Sequence, residues 1–294
     1  MHDVLEKGEL LSLPLAKELE TAIVLAEQAG NILLQYFSPQ THVEVEWKGR
    51  NNPVTAADRA ASRFLVNELQ SRFPHDAILS EEEQDDRKRL TAERVWMVDP
   101  MDGTKEFIEH RTEFAVMLGL AIDGRARMGV VFQPNSGKMY FAAPESGAFL
   151  RHQGVTRRLH VSRETELSNS VMAMSRSHLS PAVQNLRIKL GIHETVQLGS
   201  LGLKVGLVCE GLAHVYVQGR GTSLWDTCGP EAILREAGGR MTNKLGAEFR
   251  YDVEDVRNLN GVVATNSLLH DTVIAALSEP DDFGDPSAGS TRQG

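Results

Sequence analysis

Cysteine is nearly missing from this chain. Its 294 residues hold two, Cys209 and Cys228, too few for a disulfide framework and in keeping with a reducing compartment. An excess of positive charge is missing as well. The formal net charge is −9, which argues against the basic stripe that a nucleic acid would need, so no nucleic-acid partner is expected. No apolar run approaches the length of a membrane span. Residues 10–15 are apolar but short, broken by Pro14 and preceded by Glu6 and Glu9, unlike a signal peptide, so the expected location is the cytoplasm. The ten histidines show no HExxH spacing, which argues against a zinc site.

What remains is an ordinary globular composition, 41% hydrophobic and 24% charged, enough to bury a substantial core. Leu15, Leu19, Ala22, Ile23, Ala26, Leu33 and Phe37 recur at helical spacing and predict an amphipathic helix over residues 14–37. A second helix over 56–73 buries Ala61, Phe64, Leu65 and Leu69. Short strands follow at 77–79 and 95–98, separated by a charged stretch, 81–89, read mostly as solvated loop. Turn signals at Asp123-Gly124, Pro134-Asn-Ser-Gly137 and Glu145-Ser-Gly147 predict an antiparallel meander over 114–150. The polar, basic stretch 151–158 is taken as a boundary, giving halves of 1–155 and 156–278. Beyond it strands (171–174, 196–198, 213–217, 261–264) alternate with helices (203–210, 227–237, 268–277), an α/β pattern. The tail 279–294, rich in Pro, Gly, Ser and Asp, is expected to be disordered.

Acidic residues gather at the ends of these elements. Glu81 and Glu82 follow one strand, Asp99 and Asp102 follow the next, and Asp226 precedes a helix. Each has a plain structural explanation: a solvated loop for the glutamates, a turn for Asp102-Gly103, an N-cap for Asp226. Thr55-Ala-Ala-Asp58 is likewise a capping-box pattern, and spacing alone favours that role for Asp58. Taken together, carboxylates on a rigid scaffold need a cation to offset their repulsion. All-oxygen ligation selects Mg²⁺, Mn²⁺ or Ca²⁺ over zinc, and N–H groups at Gly103 and Thr104 can receive a phosphate.

These segments, with Lys48, resemble in order the motifs of the inositol monophosphatase superfamily: Pro53-Val-Thr-Ala-Ala-Asp58, Ser80-Glu-Glu82, Asp99-Pro-Met-Asp-Gly-Thr104 and Trp225-Asp226. Lys105 to Phe107, Ser175-Arg-Ser-His178 and Gly199-Ser200…Lys204 are most similar to the CysQ-type 3′(2′),5′-bisphosphate nucleotidases. The resemblance implies a layered α/β/α/β/α sandwich of two sheet-and-helix halves, and a Mg²⁺-dependent, lithium-sensitive phosphatase using two to three ions, with Mn²⁺ an alternative. Glu81, Asp99, Asp102, Asp226 and the Met101 carbonyl would hold metal. Asp58 and Thr104 would orient and deprotonate the attacking water, a role that capping by Asp58 need not exclude, and Glu81, which would also contribute to a third, weaker metal site, is counted with them as catalytic. Glu81, Met101, Asp102, Gly103, Thr104, Lys105, His178, Ser200, Lys204, Arg220 and Asp226 would line the substrate. The implied reaction frees the 3′-phosphate of 3′-phosphoadenosine 5′-phosphate, a small phosphorylated substrate, with no membrane insertion and room for a homodimer.

Two departures fall on nucleotide contacts. Gln218 stands where such relatives commonly carry Arg, with Arg220 two places on, and the Gly-Ser…Lys element has one extra residue, Leu201. Before the resemblance, His178 reads as structural or solvated and Lys204 as a solvated helix-start lysine. An inositol or sugar phosphatase of the same fold, and a non-catalytic binding protein, stay open as alternatives.

Overall fold

The computed structural model describes residues 14–37, 45–47, 53–177, 180–219 and 221–278. Helix α1 (Ala16–Tyr36) and helix α2 (Ala56–Arg72) lie side by side, with the short antiparallel pair β1 (Val45–Trp47) and β2 (Pro53–Thr55) between them in sequence. The apolar faces read from the sequence are the buried ones: Leu19, Ala22, Ala26 and Leu33 of α1 and Ala61, Leu65 and Leu69 of α2 are inaccessible to solvent. They cover one side of a seven-stranded sheet in sequential order: β3 (Ala77–Ser80), β4 (Arg94–Asp102), β5 (Ala115–Ile122), β6 (Arg125–Gln133), β7 (Lys138–Ala143), β8 (Gly147–His152) and β9 (Val155–Leu159). Only β3 and β4 pair in parallel; the remainder is the expected meander.

The second sheet has five strands in the order β11-β10-β12-β14-β13, formed by β10 (Val171–Ser175), β11 (Glu194–Leu198), β12 (Val215–Gln218), β13 (Arg240–Thr242) and β14 (Val262–Thr265). Helices α5 (Leu201–Cys209) and α6 (Leu224–Glu236) fill the space between the sheets and touch both. Helices α4 (Pro181–Lys189) and α7 (His270–Ser278) cover the far side, burying Val183, Leu186 and Val273 against Met172, Val215 and Val263. The result is the layered α/β/α/β/α sandwich. Among the described residues no helix is long and apolar enough to cross a membrane.

Two readings of the sequence need correction, and a third gains an exception. The stretch 151–158 is the end of β8 and most of β9, so the first sheet runs to Leu159, past the expected boundary at 155. β9 pairs with one neighbour only, and Arg157 and Arg158 on this edge are exposed, which is why it looks polar. The charged stretch 81–89 is not all solvated. Arg89 is 1% exposed, and its guanidinium donates to the Asp85 carboxylate and to the carbonyls of Val253 and Glu254. Finally, α4 lies in a stretch where no helix was expected. Ser180 caps it through its Oγ and Pro181 takes its first position. The tail from residue 279 lies outside the described residues.

One contact fixes how deeply the middle layer sits. A β-carbon on Gly129 of β6 would lie 2.1 Å from the Gly229 carbonyl oxygen of α6, and one on Gly119 of β5 would lie 2.6 Å from the Gly229 nitrogen. The helix backbone therefore rests directly on the sheet. A Gly129→Ala protein is expected to lose about 2–3 kcal/mol of stability, read from the urea midpoint, because the helix must move outward to make room.

Candidate active site

The acids meet where β3, β4, α3 (Thr104–Ile108), α5 and α6 converge. In a regular strand, residues three apart point to opposite faces. Asp99 and Asp102 escape that rule because the β4–β5 register gains a residue between them: Asp99 pairs with Met117 and Asp102 with Ala115. Within this bulge Asp99 Oδ1 accepts the Met101 N–H at 2.9 Å. Gly103 then turns the chain into α3 with φ of +101°, where a β-carbon would also strike the Glu113 carbonyl oxygen at 2.8 Å.

Asp226 arrives from the other sheet's side. It is the third residue of α6, and its Oδ2 accepts the Ser223 N–H at 2.5 Å. Ser223, not Asp226, is thus the N-cap, and Asp226 completes a capping box. Asp58 holds the same position in α2: Oδ2 accepts the Thr55 N–H at 2.7 Å and the Thr55 hydroxyl at 2.5 Å. Its other oxygen, Oδ1, accepts the Thr104 hydroxyl, which also lies 3.2 Å from the Met101 carbonyl oxygen. The spacing-based capping role and the placement beside Thr104 therefore coexist.

One carboxylate oxygen from each of Asp99, Asp102 and Asp226 lies within 4.8 Å of the other two. Among the described residues no other three His, Cys, Asp or Glu side chains come into ligating range of each other. Asp99 is almost fully buried, and burial first, then Glu81, Asp102 and Asp226, push its carboxyl well above the usual range. Burial and then Asp102 raise Asp226 to about 7, against hydrogen bonds from Ser223 and with Asp99. Burial raises Asp58 to about 6, with Glu82 adding to it and Thr55 and Thr104 opposing. Crowded like charges of hard oxygen type, three carboxylates against the single ammonium of Lys204, are the donor set that suits a divalent hard cation. A buried hydroxyl, Thr222 Oγ1, just before the Ser223 cap, has no hydrogen-bond partner.

Glu81 directly follows β3, where its N–H extends the ladder to the Val98 carbonyl, and its charge acts on Asp99. It stands outside the tight triad. Asp102 Oδ2 is received at the start of α5 by the Ser200 hydroxyl at 2.5 Å and the Gly202 N–H at 2.9 Å. Lys105 lies half-buried in the first turn of α3. Lys204 is 1% exposed, not a solvated lysine: its Nζ donates to the carbonyls of Gly199 (2.6 Å) and Leu198 (3.3 Å) and sits 5.3 Å from the centre of the Tyr216 ring. Burial lowers it to about 8. His178, Arg220 and Lys48 lie outside the described residues.

Two residues around this turn escaped sequence reasoning. Glu113 receives the Arg176 guanidinium through both oxygens at 2.8 Å and the Gly199 N–H at 3.0 Å. Glu106 is 2% exposed, accepts the Ser177 hydroxyl and packs against Gly199, where any β-carbon would collide with it. Glu106 lies inside the Lys105–Phe107 motif, but a Lys-Glu pair in sequence reads as a solvated face, so nothing local marked its burial.

Residues 15–281 match the sequence profile described as the inositol monophosphatase family. The chain belongs to the inositol monophosphatase family. That family is metal-dependent, in agreement with the acidic cluster. A curated relative, the 3′(2′),5′-bisphosphate nucleotidase CysQ of Escherichia coli K12, is 35% identical over 234 residues, covering 79% of this chain and 93% of its own. The enzyme of that name from Aggregatibacter actinomycetemcomitans is 34% identical over 224 residues, 75% of this chain and 82% of its own. Among solved members of the family, CysQ from Bacteroides thetaiotaomicron superposes with a TM-score of 0.73 at 30% identity, covering 85% of this chain and 97% of that one. An IMPase from Thermotoga maritima gives 0.76 at 27% identity over 90% and 97%.

The raised Asp226 carboxyl carries a pH signature. Its folded-state value near 7 exceeds the ordinary 3.8, so the folded metal-free protein holds the extra proton between these values. The contribution is present below about pH 4, falls as pH rises and is gone above about 7. In EDTA, Asp226→Asn is expected to flatten this decline and to gain on the order of 2 kcal/mol over the parent at pH 7.5, measured by urea unfolding at pH 5 and 7.5.

Proposed function

We propose that the protein is a Mg²⁺-dependent phosphatase that hydrolyses the 3′-phosphate of 3′-phosphoadenosine 5′-phosphate to AMP and phosphate. One observation carries this reading: the Asp99–Asp102–Asp226 cluster stands at the end of the strand that leads into the Asp58–Thr104 pair, in a chain 35% identical to a named bisphosphate nucleotidase. We assign Asp99, Asp102, Asp226, Glu81 and the Met101 carbonyl to two or three Mg²⁺ ions, for which Mn²⁺ is the natural substitute. When bound, such ions lower the pKa of a water and neutralise charge on the phosphate and its leaving oxygen.

The chain's own residues then do the positioning. Asp58 Oδ1 takes the Thr104 hydroxyl hydrogen, which leaves the Thr104 oxygen as an acceptor for the attacking water and gives that water's proton a path to the carboxylate. Asp58 Oδ2 is tied to Thr55, so the pair cannot swing away. The N–H groups of Gly103 and Thr104 have no intrahelical acceptor and receive phosphate oxygens. We assign Lys105, one residue on in α3, to the same anion. Ser200 and Lys204 act on the substrate side through the Gly199–Ser200 turn, with Lys204 holding the turn's carbonyls. No cysteine takes part: Cys209 and Cys228 are both buried, and burial pushes their thiols up.

A second reading, an inositol or sugar phosphatase, is favoured by Gln218. That residue replaces an expected arginine, and its amide oxygen accepts the Tyr216 hydroxyl. Phosphate release from adenosine 3′,5′-bisphosphate, inositol 1-phosphate and fructose 1,6-bisphosphate, with and without Mg²⁺ and Li⁺, decides between them. The nucleotide is expected to turn over fastest; faster release from inositol 1-phosphate selects the second reading. Asp99→Asn and Asp102→Asn are each expected to lower activity by more than about a hundredfold, and unchanged turnover in either rejects the metal site. Asp58 must be ionised to accept a proton, so the rate is expected to fall as pH drops through about 6 or below it, where cations oppose the effect of burial. An unaltered acid limb in Asp58→Asn protein with residual activity removes Asp58 from that role.

A further inference from the structure

We propose that Asn258 is a positioning residue for the acidic cluster, acting through the first turn of α6. The inference rests on the reading of Asp226 as a metal-holding carboxylate. The chain entering α6 runs beside residues 256–258 like a short ladder. The Leu224 N–H donates to the Val256 carbonyl and the Asn258 N–H to the Thr222 carbonyl, both at 2.8 Å, with Ser223 and Arg257 bridged antiparallel between them.

Asn258 adds its side chain to this grip. Nδ2 donates to the Ser223 carbonyl at 2.8 Å and lies 3.3 Å from the Thr227 hydroxyl oxygen, in a pocket that leaves the residue 8% exposed. The Tyr251 hydroxyl faces Thr227 Oγ1 at 3.4 Å and donates to Glu231 Oε2 at 2.5 Å, one turn further along the same helix face. Residues 251–258 thus hold α6 at its cap, its first turn and its second.

The cap is where position matters. Ser223 gives its N–H to Asp226 Oδ2, and its carbonyl already serves the first intrahelical bond, as an N-cap carbonyl does. The Asn258 amide is therefore not needed to satisfy that carbonyl. Its effect is to fix where Ser223 sits, and with it the Asp226 oxygen offered to Asp99 and Asp102. Partners one step removed from a metal ligand typically change metal affinity 10- to 100-fold when lost; Asn258 stands one step further out, behind Ser223, which sets its effect at the lower end of that range.

The test is Mn²⁺ binding to the full-length, metal-free protein, read by the electron paramagnetic resonance signal of free Mn²⁺, alongside urea unfolding. Asn258→Ala is expected to weaken Mn²⁺ binding roughly tenfold, and Thr227→Val, which keeps the side-chain shape, by a smaller factor. The control is Asn266→Ala. Asn266 is more deeply buried than Asn258 and donates to the carbonyls of Ser162 and Glu164, away from the first turn of α6, so its loss should lower stability and leave Mn²⁺ affinity unchanged. Parent-like Mn²⁺ binding in both Asn258→Ala and Thr227→Val overturns the inference, as does equal weakening in Asn266→Ala. If Asn258→Ala does not fold, Thr227→Val decides. Absence of Mn²⁺ binding in the parent protein rejects the metal reading of Asp226 itself, and the inference with it.

Discussion

The backbone contact between α6 and the large sheet governs this molecule. With Gly119 and Gly129 on the sheet and Gly229 on the helix, no side chain separates the two surfaces. Any larger residue would hold the helix off by the thickness of a methyl group or more. Asp226 is carried three residues upstream of Gly229, and Asp99 and Asp102 sit on the strand next to β5. The meeting of three carboxylates within 4.8 Å is thus a result of glycine placement as much as of the acids themselves. Proteins rarely leave charges so crowded and so buried without a counter-charge.

Two of the acids serve twice. Asp58 and Asp226 each close a capping box and also face the site: Asp58 does so with its other oxygen, and Asp226 as a member of the triad. Capping fixes the carboxylate plane at a helix start, where backbone N–H groups offset part of its charge. Asp102 gains a similar hold from the beginning of α5, through Ser200 and Gly202. Three helices from separate parts of the chain therefore aim at one small volume, and each orients one acid. Buried Glu106 and Lys204, with the part-buried pair Glu113 and Arg176, stiffen the Gly199–Ser200 turn that supplies one of these holds.

Much of this was legible in the sequence, because the signals were local. Helical spacing marked α1 and α2, turn residues marked the meander, and acids at element ends marked the triad. Asp58 shows how two local readings can both hold, since its capping bond and its place beside Thr104 use different oxygens. What escaped were features set by partners far away in sequence. Arg89 looks solvated until the carbonyls of Val253 and Glu254 reach it. Glu106 looks like half of a surface pair until Gly199 and Ser177 close over it. β9 was mistaken for a boundary because an edge strand pairs on one side only, which leaves its outward residues free to be polar.

The bulge in β4 has a consequence for how the chain reaches this state. Asp99 and Asp102 are neighbours from the start, whereas Asp226 lies more than a hundred residues further along. It meets them only through α6, which lies docked between the two sheets. Such long-range closure is slow compared with formation of the meander, whose strands pair with their sequence neighbours. The electrostatic cost of the full triad therefore belongs to the docked position of α6 and not to the first sheet alone. A cation captured by the β4 pair before that step would turn the last approach from repulsive to attractive, so the ion that serves the site would also ease its final closure.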